Sequence, residues 1–159
     1  MAALAGAAVY GWRVWFPNDE AQIHAVLERI ADGISGDGEG DARRLARAAS
    51  LLEEFDPDVT VDAGRPFDTL RGRDVILGAA AKMNGSVRNL DLSFDDVVIQ
   101  VDAVRSQATA NLTAEARFDD GGGAAVDARE LDVSFTRIDG AWVVSAVTLV
   151  RPLRRLDQP

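Results

Sequence analysis

The sequence predicts an α+β fold, with helices first and a strongly bent sheet after them. Three observations predict it. Up to about residue 83, apolar residues recur at helical spacing. From Val87 the period changes to two and stays at two through four long runs. The last two runs flank Asp139-Gly140, a strong hairpin signal, because both residues tolerate the positive φ of a type I′ turn. A chain of 159 residues supports one domain with a proper core.

Composition narrows the function classes. The net charge of −9 disfavours nucleic acid and anionic membrane surfaces as general partners. There is no cysteine, so disulfides, thiolate nucleophiles and cysteine-based metal sites are excluded. With a single histidine, no histidine cluster can hold a metal. No metal and no cofactor is expected. Lys82 is the sole lysine among 17 basic residues, which suggests a GC-rich bacterial genome.

Residues 1–16 are nearly all apolar, with Arg13 as the only charge and Tyr10, Trp12, Trp15 and Phe16 at one end. The stretch before Arg13 falls short of the ~20 residues that span a bilayer. The aromatic cluster resembles an interfacial belt. The expectation is the C-terminal part of a truncated membrane anchor, a single anchor with its domain on the periplasmic side. An amphipathic helix that packs on the domain or on a partner is the alternative.

Pro17 ends that segment, and a domain over residues 17–152 follows. Asn18 and Asp19 are good N-caps, and acidic residues crowd the next turn. Ile23, Val26, Leu27, Ile30 and Ile34 then form one stripe of an amphipathic helix, with His24 at its flank. The glycine-rich residues 35–40 are a loop. Asp41 caps a second helix with Leu45, Ala48, Ala49, Leu52 and Phe55 inward. Asp56-Pro57-Asp58 turns the chain into a short strand, Val59 to Asp62, and a third helix runs from Arg73 to about Met83.

The first long strand is Val87 to Val101. Leu90, Leu92 and Phe94 are inward, then Val97, Ile99 and Val101, so a β-bulge is expected at Asp95-Asp96. The second, Gln107 to Phe118, alternates cleanly and marks a sheet with one wet face. Its row Ala108, Ala110, Ala114 and Ala116 leaves room for an apolar ligand or for a closely packed helix. In the third, Val126 and Ala128 lie on the opposite parity from Leu131, Val133 and Phe135, which predicts a second bulge near Arg129-Glu130. The fourth, Ala141 to Val150, is apolar on both parities and is expected to be covered on both faces. Residues 153–159 read as a loose tail.

Three places carry a family resemblance: Asp19-Glu20-Ala21-Gln22-Ile23; Phe55-Asp56-Pro57-Asp58-Val59 followed by Gly72-Arg73-Asp74-Val75-Ile76; and Asp139-Gly140-Ala141-Trp142-Val143-Val144. Their order and spacing resemble the nuclear transport factor 2 family, also called SnoaL-like or ketosteroid-isomerase-like, over about Asp19 to Val150. The resemblance implies a cone-shaped domain with a mixed or antiparallel curved sheet, four long strands plus a short one, around three N-terminal helices. It implies a pocket at the open end and a homodimer through the outer sheet face.

The family's isomerases carry their base at the end of the short first strand. Laid on that motif, Ala63 occupies the base position, and Asp62 falls one residue early, on the opposite face. The isomerases' tyrosine donor has no match, because Tyr10 is the only tyrosine and precedes the domain. The catalytic candidates are therefore Asp58, Asp62 and His24. A ligand would meet Arg73, Phe94, Leu112, Phe135 and Trp142. The expected function is a membrane-tethered, non-catalytic binding or dimerisation module. A small-molecule isomerase, cyclase or dehydratase acting on an apolar substrate is the alternative, and an apolar-ligand carrier is a third reading.

Overall fold

A computed structural model describes residues 18–35, 41–62, 64, 69–76, 78 and 88–150. The expected anchor (1–16) and tail (153–159) lie outside these residues. Among the described residues no helix is long and apolar enough to cross a membrane. Helices α1 (Asp19–Ile34) and α2 (Asp41–Glu53) precede strands β1 (Phe55–Asp62), β2 (Leu70–Arg71), β3 (Arg88–Val101), β4 (Gln107–Asp119), β5 (Ala124–Ile138) and β6 (Ala141–Leu149). Of the expected third helix, residues 73–76 and 78 are described, and they are helical.

The sheet order is β2-β1-β6-β5-β4-β3. The pairing of β1 with β6 is parallel, and every other pairing is antiparallel. The first strand is longer than expected. Phe55 already pairs with Val144, and the ladder resumes at Thr60, so Asp56-Pro57-Asp58 is the irregular stretch between. The two-residue β2 lies between the elements expected from the sequence. It pairs with Thr60 and Val61, and the Gly72 N–H closes its end on the Val59 carbonyl at 2.8 Å.

The stripe on α1 is buried as its spacing requires: Ile23, Val26, Leu27 and Ile30 sit in one core with Val59, Ala108, Ala110, Leu112, Val133, Phe135, Trp142 and Val144. The other α1 faces carry His24, Glu28 and Arg29, all exposed. In α2, Ala49 is exposed rather than inward, and Phe55 contributes to the core from β1 instead. At the C-terminus of α1 the Ser35 hydroxyl accepts the Leu92 N–H at 2.8 Å, and Arg47 donates to the Ser35 carbonyl at 2.7 Å. These bonds tie both helices to β3, the strand at one edge of the sheet.

The bulge at Asp95-Asp96 is present. The β3–β4 register shifts between Asp95 and Val98, Asp96 has φ 52°, and Val98 is turned outward at 58 % exposure. The bulge expected near Arg129-Glu130 is not. The β4–β5 register runs unbroken from Gln107↔Thr136 to Asp119↔Ala124. Val126 and Ala128 simply face outward and are exposed. A further irregularity lies on β6: Ser134 pairs with Ala146 but Phe135 with Val144, which leaves Ser145 as the extra residue. A single inserted residue flips the alternation. Trp142 and Val144 therefore face inward before it, and Val147 and Leu149 after it. This corrects the reading of β6 as apolar on both faces along its length. Its outward apolar residues are Val143 and Ala146, and Val143 is 6 % exposed.

Asp139 (φ 49°) and Gly140 (φ 85°) both adopt the left-handed region that the type I′ turn requires. The alanine row divides. Ala108 and Ala110 are core residues, 4 % and 1 % exposed, while Ala114 packs half-buried against that core. Because Ala110 is buried among core side chains, Ala110→Leu is expected to destabilise by about 1–3 kcal/mol through overpacking. A urea midpoint equal to that of the parent would show that the row leaves room for a ligand.

Candidate functional site

The sequence candidates do not converge. Asp58 is exposed, and its N–H is held by the Asp56 carboxylate at 2.7 Å. Asp62 pairs with Thr148, on the outward parity of β6. Its carboxylate accepts the Gly64 N–H at 2.9 Å, an aspartate turn that ends the strand. His24 is exposed on α1. Arg73 is half-buried and donates 2.6 Å to the Phe55 carbonyl, which joins the start of the third helix to the start of β1. Leu112, Phe135 and Trp142 are 1, 1 and 3 % exposed and fill the interior, while Phe94 packs half-buried against them. No cluster of three or more His, Cys, Asp or Glu suited to a metal ion occurs among the described residues.

The polar cluster that the fold does assemble was not among the candidates. Asp19, in the first turn of α1, is the one buried charged residue among those described, at 6 % exposure. Arg105, from the β3–β4 turn, makes a close charged hydrogen bond to one of its oxygens. The Trp142 indole N–H donates to the other at 3.3 Å, and an Arg137 guanidinium nitrogen lies 3.4 Å from it. Arg137 also sits over the Trp142 ring, 5.4 Å from its centroid, and donates to the Gly140 carbonyl at 3.1 Å. Burial pushes the Asp19 carboxyl up. The hydrogen bonds from Arg105 and Trp142 and the charges of both arginines outweigh it, so the pKa ends below the usual carboxylate range.

Chemically, this cluster is a clamp. A carboxylate held ionised by two guanidiniums is a weak base at neutral pH and has no proton to give. Arg105 has φ 55°, a strained conformation for a side chain of its size. Its bond to Asp19 helps to hold the turn there. The turn is also fastened by Asp102, whose carboxylate accepts the N–H groups of Ser106 (2.8 Å) and Gln107 (3.1 Å). The Gln107 N–H is the main reason that the Asp102 pKa is lowered.

Open space lies on the outside of the sheet. Two adjoining shallow grooves of about 410 and 340 Å³ share Gln100, Thr109 and Ser134, and Asn111, Asp132 and Val98 extend them. Asn111 donates to the Asp132 carboxylate at 3.0 Å across β4 and β5. Among the described residues, Asp102 and Asp132 are the only charged ones that line the two grooves, in a chain of net charge −9.

A curved, unclosed sheet around an N-terminal helix, with Asp139-Gly140-Ala141-Trp142 closing the last hairpin, defines a class of small α+β domains. Residues 18–148 match the SnoaL-like domain family, and the chain belongs to it. Solved structures of the same fold include a putative scytalone dehydratase from Novosphingobium aromaticivorans. It is 14 % identical, with 87 % of this chain and 95 % of that one covered and a TM-score of 0.70. A protein of unknown function with a cystatin-like fold from Nostoc punctiforme is also 14 % identical, with 87 % and 95 % covered and a TM-score of 0.67. The Kfla4162 protein from Kribbella flavida is 17 % identical, with 83 % and 89 % covered and a TM-score of 0.67. Among curated protein sequences none matches. At these identities the structural likeness speaks for the fold alone.

Proposed function

We propose that this chain is a non-catalytic SnoaL-like module, tethered to a bacterial membrane by residues 1–16, that works by self-association through the outer face of its sheet. One observation carries the reading: among the described residues the two grooves lie on the outside of the sheet, while the inward candidates Leu112, Phe135 and Trp142 are packed in the core. The α1 stripe and the inward rows of β4, β5 and β6 form one buried apolar core. Asp58, Asp62 and His24 are held in local turns or exposed, and the buried Asp19 is clamped.

The outer face suits a protein partner. Its centre carries Val98, Gln100, Thr109, Asn111 and Ser134, with one carboxylate bonded to an amide. Depletion of charge at the centre of a patch is the compositional signal of an interface. Light scattering of the full chain in mild detergent is expected to give twice the protomer mass. Thr109→Arg, which places two like charges near a two-fold axis at an exposed position flanked by Gln100 and Ser134, is expected to give the protomer mass with an unchanged circular dichroism spectrum. A monomeric parent sinks the association, and a variant that stays dimeric sinks this face. Fractionation of cells expressing the full-length gene tests the tether, and a wholly soluble product removes it.

A further inference from the structure

Three features meet at one end of the domain. The chain enters α1 there at Asn18, because Asp19 is bonded to Arg105 and Trp142. The β3–β4 turn is there, with Val104 at its tip and 77 % exposed. The β5–β6 turn is there too, with Ile138 beside it, 38 % exposed. The two turns are one body: the Arg137 N–H donates to the Ser106 carbonyl at 3.0 Å, and Asp19 lies within 3.4 Å of an arginine from each. The opposite end holds the β4–β5 turn.

Only Pro17 and Asn18 separate Phe16 from Asp19. Three residue steps reach at most roughly 10 Å. Wherever the aromatic cluster Tyr10, Trp12, Trp15 and Phe16 sits at a membrane interface, this end of the domain is held within that distance of it. We propose that this end lies on the lipid interface, with Val104 and Ile138 dipping in as a second, apolar contact. The proposal rests on the membrane tether of the preceding section.

The contact is apolar rather than electrostatic. Arg105 and Arg137 are already opposed by Asp19, the Asp102 carboxylate is taken by its own turn, and the exposed Glu20 and Asp139 add negative charge. The partner is accordingly a neutral, zwitterionic headgroup surface. Two apolar side chains make a weak contact alone, but a tether of a few residues raises their effective concentration at the surface to the millimolar range. The rigid turns keep the ordering cost of that contact low.

The absence of cysteine makes a single introduced thiol a clean reporter. Val104→Cys, Ile138→Cys and, at the opposite end, Ala124→Cys are each labelled in the full chain with an environment-sensitive fluorophore. Each is reconstituted into phosphatidylcholine vesicles that carry a quencher on the lipid chains. The labels at 104 and 138 are expected to shift to the blue and to be quenched several-fold more than the label at 124, with no gain on adding phosphatidylglycerol. Co-flotation with equal quenching at all three positions overturns the docking and leaves the tether standing. Quenching that grows with anionic lipid overturns the apolar contact in favour of an electrostatic one. Failure to float with vesicles overturns the tether, and the docking falls with it.

Discussion

Asp19→Asn is expected to destabilise the domain by about 2–3 kcal/mol, at the low end for removing one partner of a buried ion pair because both arginines remain partly exposed. The substitution keeps the size of the side chain but removes the charge that holds Arg105 in its left-handed turn and Arg137 over Trp142. For a domain of this length the melting temperature should fall by roughly 4–12 °C. Near-ultraviolet circular dichroism checks this, since Trp142 reports on the cluster. The effect is also expected to depend on pH with a defined sign. Because the folded-state pKa of Asp19 is lowered, its contribution is fully present at neutral pH. It begins to fade as the pH drops through about 4, where the unfolded carboxyl takes up a proton. It is gone below the lowered folded-state value. The parent and Asp19→Asn should therefore differ most at neutral pH and converge in acid. A gap that widens as the pH falls would show that the carboxylate is not stabilised by its neighbours.

Phe135→Ala is expected to cost about 3–5 kcal/mol, the largest loss of any single truncation considered. Phe135 is the largest of the fully buried side chains, at 1 % exposure. It pairs with Ala108 on one side and Val144 on the other, so no large cross-strand neighbour can close over the hole. Against a typical stability of about 5–15 kcal/mol this is a large fraction. Urea unfolding measures it as a shift in midpoint at constant slope. Val126→Ala, at a position 62 % exposed on the same strand, serves as control and should change stability by less than about 0.5 kcal/mol. Equal losses at the two positions would mean that the inward and outward rows of β5 are misassigned.

Much of the fold could be read from residue patterns, because each of those patterns has a local cause. The α1 stripe, the alternation of β4, the bulge at Asp95-Asp96 and the Asp139-Gly140 turn all express a single element's own periodicity or backbone preference. The bulge of β6 was missed because its extra residue, Ser145, is small and lies inside an apolar run, where either parity reads as buried. The parallel pairing of β1 with β6 was not legible either, since alternation encodes which face a side chain takes and not which strand lies beside it. The same limit applies to the site. Asp19 reads as a helix-start residue and Trp142 as a lining residue, and their bond spans 123 positions. Asp58 and Asp62 were suggested by residue type and place. The turns that engage them, through Asp56 and Gly64, are common local uses of aspartate.

The position of β6 bears on how the protein is made. Of the described strands, the last to leave the ribosome is the one that sits between β1 and β5. Until it arrives, β1 has no neighbour that connects it to β5, β4 and β3, and the Asp19 carboxylate lacks Trp142. Translation proceeds at about 5–20 residues per second, so roughly 6–25 s separate the emergence of Ile23 from that of Val144. Throughout that interval the core that receives the α1 stripe lacks Trp142 and Val144. The sheet cannot be completed from the N-terminus forward, because β1 joins the other long strands only through β6.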